Sequence, residues 1–146
     1  MFHSILMVCV GNICRSPMAE GLMRREIERA GSGMHVASAG VGALVGEPAD
    51  PMARELMAEQ GIDIEAHRAR QLGADMVRDH DLILVMEEWQ RRKVESTFPM
   101  ARGRVMCLGH WRDLQVPDPY RQPRSAFEHS MEQIQQGLED WKDKLW

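Results

Sequence analysis

Apolar residues fall along this chain in two rhythms. Three stretches are short unbroken runs, residues 5–10, 82–86 and 105–108. A run without polar alternation suits a strand covered on both faces, as strands of parallel sheets are. Residues 34–39 read as a further, shorter strand. Between the runs the spacing turns helical. Ala19, Leu22, Met23, Ile27 and Ala30 share one face, with Ser16 as predicted N-cap, Pro17 as first helical residue and Gly31 as the stop. Asp50-Pro51 repeats that start, and Ala53, Leu56 and Met57 form an inward face closed by Gly61. A brief helix is predicted over 72–77 and a charged, exposed one over 87–98. The last segment is the most regular. Phe127, Met131, Ile134, Leu138, Trp141 and Leu145 alternate steps of four and three, an amphipathic helix that should cover one sheet face.

Strands alternating with helices predict an α/β fold, a single open and mainly four-stranded parallel sheet with helices on both faces. The 146 residues suit one domain, 1–146, with one core. In such sheets a ligand sits beyond the carboxyl ends of the strands. The segments expected at that edge are 9–16, 38–48, the residues after Met86, and 109–124, the last an irregular loop holding three prolines.

Composition narrows the partners. A net charge of −4 gives no whole-chain footprint for nucleic acid or an anionic membrane. No apolar run approaches the roughly 20 residues that span a bilayer. Met1-Phe2-His3-Ser4 lacks a basic secretory start, and three cysteines, with Cys107 far from Cys9 and Cys14, make a poor disulfide framework. The expectation is a soluble cytoplasmic monomer with neither nucleic-acid partner nor membrane insertion.

The densest chemistry is Cys9-Val10-Gly11-Asn12-Ile13-Cys14-Arg15-Ser16, between the first strand and the first helix. A loop entering a helix N-terminus can gather backbone amides into an anion nest, to which the helix adds its positive end. Gly11 and Asn12 tolerate the unusual backbone angles such a loop needs. The field that holds a phosphate also favours a thiolate. Arg15 offers a planar fork for two phosphoryl oxygens. Nucleophile, nest and bidentate cation within eight residues point to phosphoryl transfer through a cysteinyl-phosphate. Taken alone, Cys9 could also be a buried strand-end residue, or pair with Cys14 in a disulfide or on a metal. Asp118, stiffened between Pro117 and Pro119, is the candidate acid on the same sheet edge. The six histidines have no carboxylate or cysteine partners at ligand spacing, so no metal or other cofactor is expected.

Residues 9–16, then Ser38-Ala39-Gly40, His67-Arg68-Ala69-Arg70-Gln71-Leu72 and Asp118-Pro119-Tyr120, resemble the low-molecular-weight protein-tyrosine phosphatases, in family order and over essentially the whole chain. The resemblance implies Cys9 as nucleophile, Arg15 as phosphate clamp and Asp118 as acid, then base. It implies phosphate binding by Val10, Gly11, Asn12, Ile13, Cys14, Arg15 and Ser16. It also implies loop support by Asn12, Ser16, Ser38 and His67, and substrate walls at Ile13, Leu44 and Tyr120. Residues 42–46 and 109–111 resemble the bacterial branch that works beside tyrosine autokinases in exopolysaccharide or capsule production. The implied partner is therefore a phosphotyrosine protein, an autokinase of that kind, with inorganic phosphate as product. Two departures from eukaryotic relatives stand out. Leu44 replaces an aromatic wall, and Tyr120 is followed by Arg121 and not by a second tyrosine. Arsenate reduction on the same fold would need further cysteines on a mobile segment, and 79–89 has none.

Overall fold

In the computed structural model, which describes residues 2–146, four strands form one sheet in the order β2-β1-β3-β4, every pair parallel. The strands are β1 (Ser4–Cys9), β2 (His35–Gly40), β3 (Leu82–Val85) and β4 (Val105–Cys107). The two internal strands are those with the purest apolar runs, Ile5 to Val8 and Leu82 to Val85, all buried. The edge strand β2 mixes His35, Ala37 and Ser38 into its run, as an edge permits.

Side chains alternate across a strand, so β1 feeds two cores. Ile5, Met7 and Cys9 join the larger one, roofed by α1 (Arg15–Arg29), α2 (Pro51–Glu59) and α5 (Arg124–Leu145). Leu6 and Val8 join the smaller one under α3 (Ala74–Asp79) and α4 (Glu88–Thr97). Helices thus cover both faces. On α5 the expected stripe is buried at Phe127, Ile134, Leu138, Trp141 and Leu145, and Trp141 donates its indole N–H to the Leu108 carbonyl at 2.9 Å.

Three expectations shift. Helix α1 begins at Arg15 with Cys14 in the cap position, so Ser16 is not the N-cap; its hydroxyl is committed to Cys9 and Asn12 instead. Pro17 is accordingly the third helical residue, where no N–H is needed. The short helix α3 starts two residues later than predicted, because the Leu72 N–H bonds the Gly40 carbonyl at 2.9 Å and keeps 71–72 extended beside β2. The Asp50 cap is as expected, its carboxylate accepting the Met52 N–H at 2.9 Å, and Gly31 and Gly61 follow their helices at φ 65° and 75°. The carboxyl ends of all four strands open onto the loops expected there.

Candidate active site

The loop between β1 and α1 is held open by its carbonyls. Those of Cys9, Val10 and Gly11 accept from Val41, Gly42 and Leu44 of the neighbouring loop at 3.0, 3.0 and 3.1 Å. Asn12 O lies 2.7 Å from His67 Nε2, Ile13 O accepts from Asp50 N at 2.8 Å, and Cys14 O from Met18 N at 3.3 Å. In a planar trans peptide the C=O of one residue points opposite the N–H of the next. Five carbonyls bound to neighbouring segments, and a sixth to the first turns of α1, therefore turn the amides of Val10 to Arg15 toward the loop's interior, where the first-turn amides of α1 also lack helical partners. Asn12 makes this curl possible at φ 58°, in the left-handed region. Gly40 lets β2 approach, since a Cβ there would lie 2.3 Å from the Val10 carbonyl oxygen.

Inside the curl is a cavity of about 150 Å³ lined by Cys9, Val10, Gly11, Ile13, Cys14 and Arg15 from the loop, and Gly42, Leu44, Asp118 and Tyr120 from its neighbours. Cys9 and Arg15 meet on it with Asp118, which lies more than a hundred residues further along the sequence. So do all three predicted walls, Ile13, Leu44 and Tyr120. Leu44 does not tuck under its loop; it stays 42% exposed at the rim.

Asn12 and Ser16 lie beneath the loop, fully buried, and do not line the cavity. Their contacts form one directed chain. The two N–H groups of Asn12 Nδ2 go to Ser16 Oγ at 2.7 Å and Ser38 Oγ at 3.0 Å. Ser38 Oγ donates onward to Glu20 Oε1 at 2.6 Å, and Asn12 Oδ1 accepts the Arg70 N–H at 3.0 Å. Ser16 Oγ lies 2.9 Å from Cys9 Sγ, and toward a thiolate, which can only accept, its hydroxyl is the donor.

Arg15 is 1% exposed. Its Nη1 ion-pairs with Glu87 and donates to the Val116 carbonyl at 3.0 Å, while Nη2 lies 3.6 Å from Asp118 Oδ2. Its Nε is buried without a protein partner. The fork edge formed by Nε and Nη2 is thus the one free for oxygens of a ligand. Asp118 is half exposed and orders its own turn, Oδ1 accepting the Tyr120 N–H at 3.0 Å. Burial, and then the charge of Asp50, push the Cys14 thiol well above the usual thiol range, which leaves Cys14 a poor nucleophile. Cys107 is buried in β4, donates to Glu88 Oε2 at 3.4 Å and does not reach the cavity.

Sequence reasoning missed Glu87, Glu20 and Arg70. Glu87 orients Arg15 and is itself held by the Trp89 indole N–H at 3.1 Å. Its position directly after the apolar run of β3, on the predicted ligand edge, was the available signal. Glu20 lies one helical turn beyond Ser16, and nothing local distinguishes Arg70 from its neighbour Arg68.

A family model described as low molecular weight phosphotyrosine protein phosphatase matches residues 4–146. The chain is 47% identical over 145 residues to the "Probable low molecular weight protein-tyrosine-phosphatase EpsP" of Ralstonia nicotianae, covering 99% of this chain and 97% of that one. It is 42% identical to the low molecular weight protein-tyrosine-phosphatase Etp of Escherichia coli K12, covering 99% and 95%. Among solved structures, Wzb of Vibrio vulnificus in complex with benzylphosphonate superimposes with a TM-score of 0.93 at 41% identity, covering 99% of this chain and all of that one.

Proposed function

The chain belongs to the low molecular weight protein-tyrosine phosphatase family, and from that premise we propose how its residues divide the work of hydrolysing phosphotyrosine. Cys9, as thiolate, attacks phosphorus in line with the phenolic oxygen. The P–O bond breaks, Asp118 gives its proton to the departing phenolate, and phosphorus is left on sulfur. Water then loses a proton to Asp118 and attacks phosphorus. The P–S bond breaks, inorganic phosphate departs, and the thiolate recovers the Ser16 hydrogen bond.

Through both steps the three non-reacting oxygens carry the spreading charge. The inward amides and the free edge of Arg15 are the groups set to receive it, already oriented before substrate arrives. Glu87 and the Val116 carbonyl keep the guanidinium from rotating. The phosphotyrosine ring packs between Leu44, Ile13 and Tyr120, a contact worth about 1.5–3 kcal/mol on the scale of burying a large apolar side chain. Phosphoserine has neither that ring nor the reach.

The observation that carries this reading is the outward-bonded loop around Cys9, with one buried edge of Arg15 left unbonded. The relative solved with benzylphosphonate, an aromatic ring joined through a methylene to a tetrahedral phosphorus anion, supports it. The proposed substrate is a flexible phosphotyrosine-bearing segment, and the proposed source is a tyrosine autokinase of exopolysaccharide production, met by a monomer in the cytoplasm. Among the described residues no helix is long and apolar enough to cross a membrane.

The test is kcat/KM on matched phosphotyrosine and phosphoserine peptides, with and without EDTA, using wild type, Leu44→Ala and Tyr120→Ala. Strong preference for phosphotyrosine, unchanged by EDTA and reduced by either rim substitution, is expected. Comparable values for the two peptides would overturn the assignment.

A further inference from the structure

The turn that carries Tyr120 is built around an arginine in a place suited to glycine. Gln122 N–H closes it on the Pro119 carbonyl at 2.8 Å, and Pro119 is buried as its anchor. Arg121, third in that turn, has φ 61°. Glycine or asparagine takes this conformation with little steric cost, whereas a long side chain does not. Residues held in such a region beside an active site are candidates for a role there.

The side chain has a defined place. The Arg121 guanidinium lies over the Tyr120 ring, 5.2 Å from its centroid. Tyr120 lines the cavity and Arg121 does not, so the cation sits at the rim, beyond the ring that walls the substrate. Among the described residues Arg121 forms no ion pair and no side-chain hydrogen bond. The nearby Arg124, in contrast, is engaged by Glu55, Glu59 and Glu128. Of the charged groups at the cavity itself, Arg15 is matched by Glu87 and approached by Asp118. Stacking on the ring limits the conformations of Arg121 while leaving its N–H edges to solvent.

We infer that Arg121 is a specificity-determining residue, which selects phosphotyrosine segments carrying a second anionic group, carboxylate or phosphate, beside the phosphotyrosine. The inference rests on the phosphatase reading above. The cation lies on a chain whose net charge is −4, so it opposes the general repulsion that an acidic segment would meet on approach.

Three peptides of equal length test it: phosphotyrosine with glutamates on both sides, phosphotyrosine with alanines, and phosphotyrosine next to a second phosphotyrosine. For wild type, kcat/KM on the glutamate or doubly phosphorylated peptide should exceed that on the alanine peptide by about two- to fivefold, the range of exposed ion pairs. The excess should shrink at high salt. Arg121→Gln and Arg121→Gly should bring the ratio to about one, and Arg121→Lys should keep part of it. The glycine variant suits the turn, so a general loss from a disturbed Tyr120 is separated from the loss of charge. Such a disturbance lowers all peptides together and leaves the ratio in place. An excess in one anionic arm alone identifies carboxylate or phosphate as the group read. A wild-type ratio near one, or one that survives both uncharged variants, overturns the inference. Hydrolysis of no phosphotyrosine peptide by wild type would instead overturn the reading of the site, and this inference with it.

Discussion

Asn12 commits both side-chain N–H groups and its oxygen beneath the loop, on Ser16, Ser38 and Arg70. Toward a Cys9 thiolate, the Ser16 proton is aimed at sulfur. A hydrogen bond to a charged group is worth about 1.5–3 kcal/mol. Ser16→Ala should therefore slow release of the thiolate from phosphorus, lowering kcat about ten- to hundredfold. Pre-steady-state kinetics checks it: the variant should show a burst of phenol followed by slow turnover. In the proposed mechanism Asp118 acts at the other end of the reaction. Asp118→Asn should lower kcat/KM about 10²–10⁴-fold for esters of poorly acidic phenols and far less for good leaving groups. A uniform loss across a leaving-group series would reduce Asp118 to a loop-positioning role. Cys9, Arg15 and Asp118 were legible in the sequence because strand, loop and helix placed them on one predicted edge. Glu87, Glu20 and Arg70 were not. Each acts through a contact whose partner is chosen by packing; position after the β3 run marks the place of Glu87, but residue type does not separate it from Glu88, whose own carboxylate serves Arg91 and Cys107.

Among the elements, β2 and the nucleophile loop are the most tightly interlocked. Gly40→Ala would place a Cβ 2.3 Å from Val10 O and 3.1 Å from the Asn12 Cβ, so backbone must move. Both Tm and kcat should fall, whereas Gly33→Ala, with nothing within 4 Å, should change neither appreciably. Strand β4 carries a pH-dependent contribution. Burial, then the hydrogen bond to Glu88, push the Cys107 thiol from its ordinary 9.0 up to about 12. The folded state thus holds this proton over a range where the unfolded state has lost it. Its contribution is complete below pH 9.0 and is lost as pH rises toward about 12. Denaturant unfolding at about pH 8 and about pH 10.5 should show a smaller fall in stability for Cys107→Ala than for wild type. Equal falls would contradict it. The strands were legible because apolar runs report burial on both faces directly, most clearly in the internal β1 and β3. Helix starts were less so. Ser16 has the chemistry of a cap, and only the tertiary demand of Cys9 and Asn12 draws its hydroxyl elsewhere.

Across the whole molecule, the sheet order brings the loops after all four strands to one edge, with α5 closing the larger core behind them. Ser130 of α5 donates to the Pro117 carbonyl at 2.6 Å, and Val116 N–H bonds the Met86 carbonyl at 3.0 Å, so the Asp118 loop is tied to both a helix and a strand end. This frame brings a carboxylate late in the chain to the same cavity as a thiol near its start, where we propose that it serves that thiol. That partnership is the account's central claim, and it has a covalent signature. Rapid-quench mass spectrometry of Asp118→Asn, mixed with a phosphotyrosine peptide and digested, should find one phosphoryl group on the peptide containing Cys9, formed and lost at rates consistent with turnover. Phosphoryl transfer to another residue, or multiple turnover by Cys9→Ser, would contradict it.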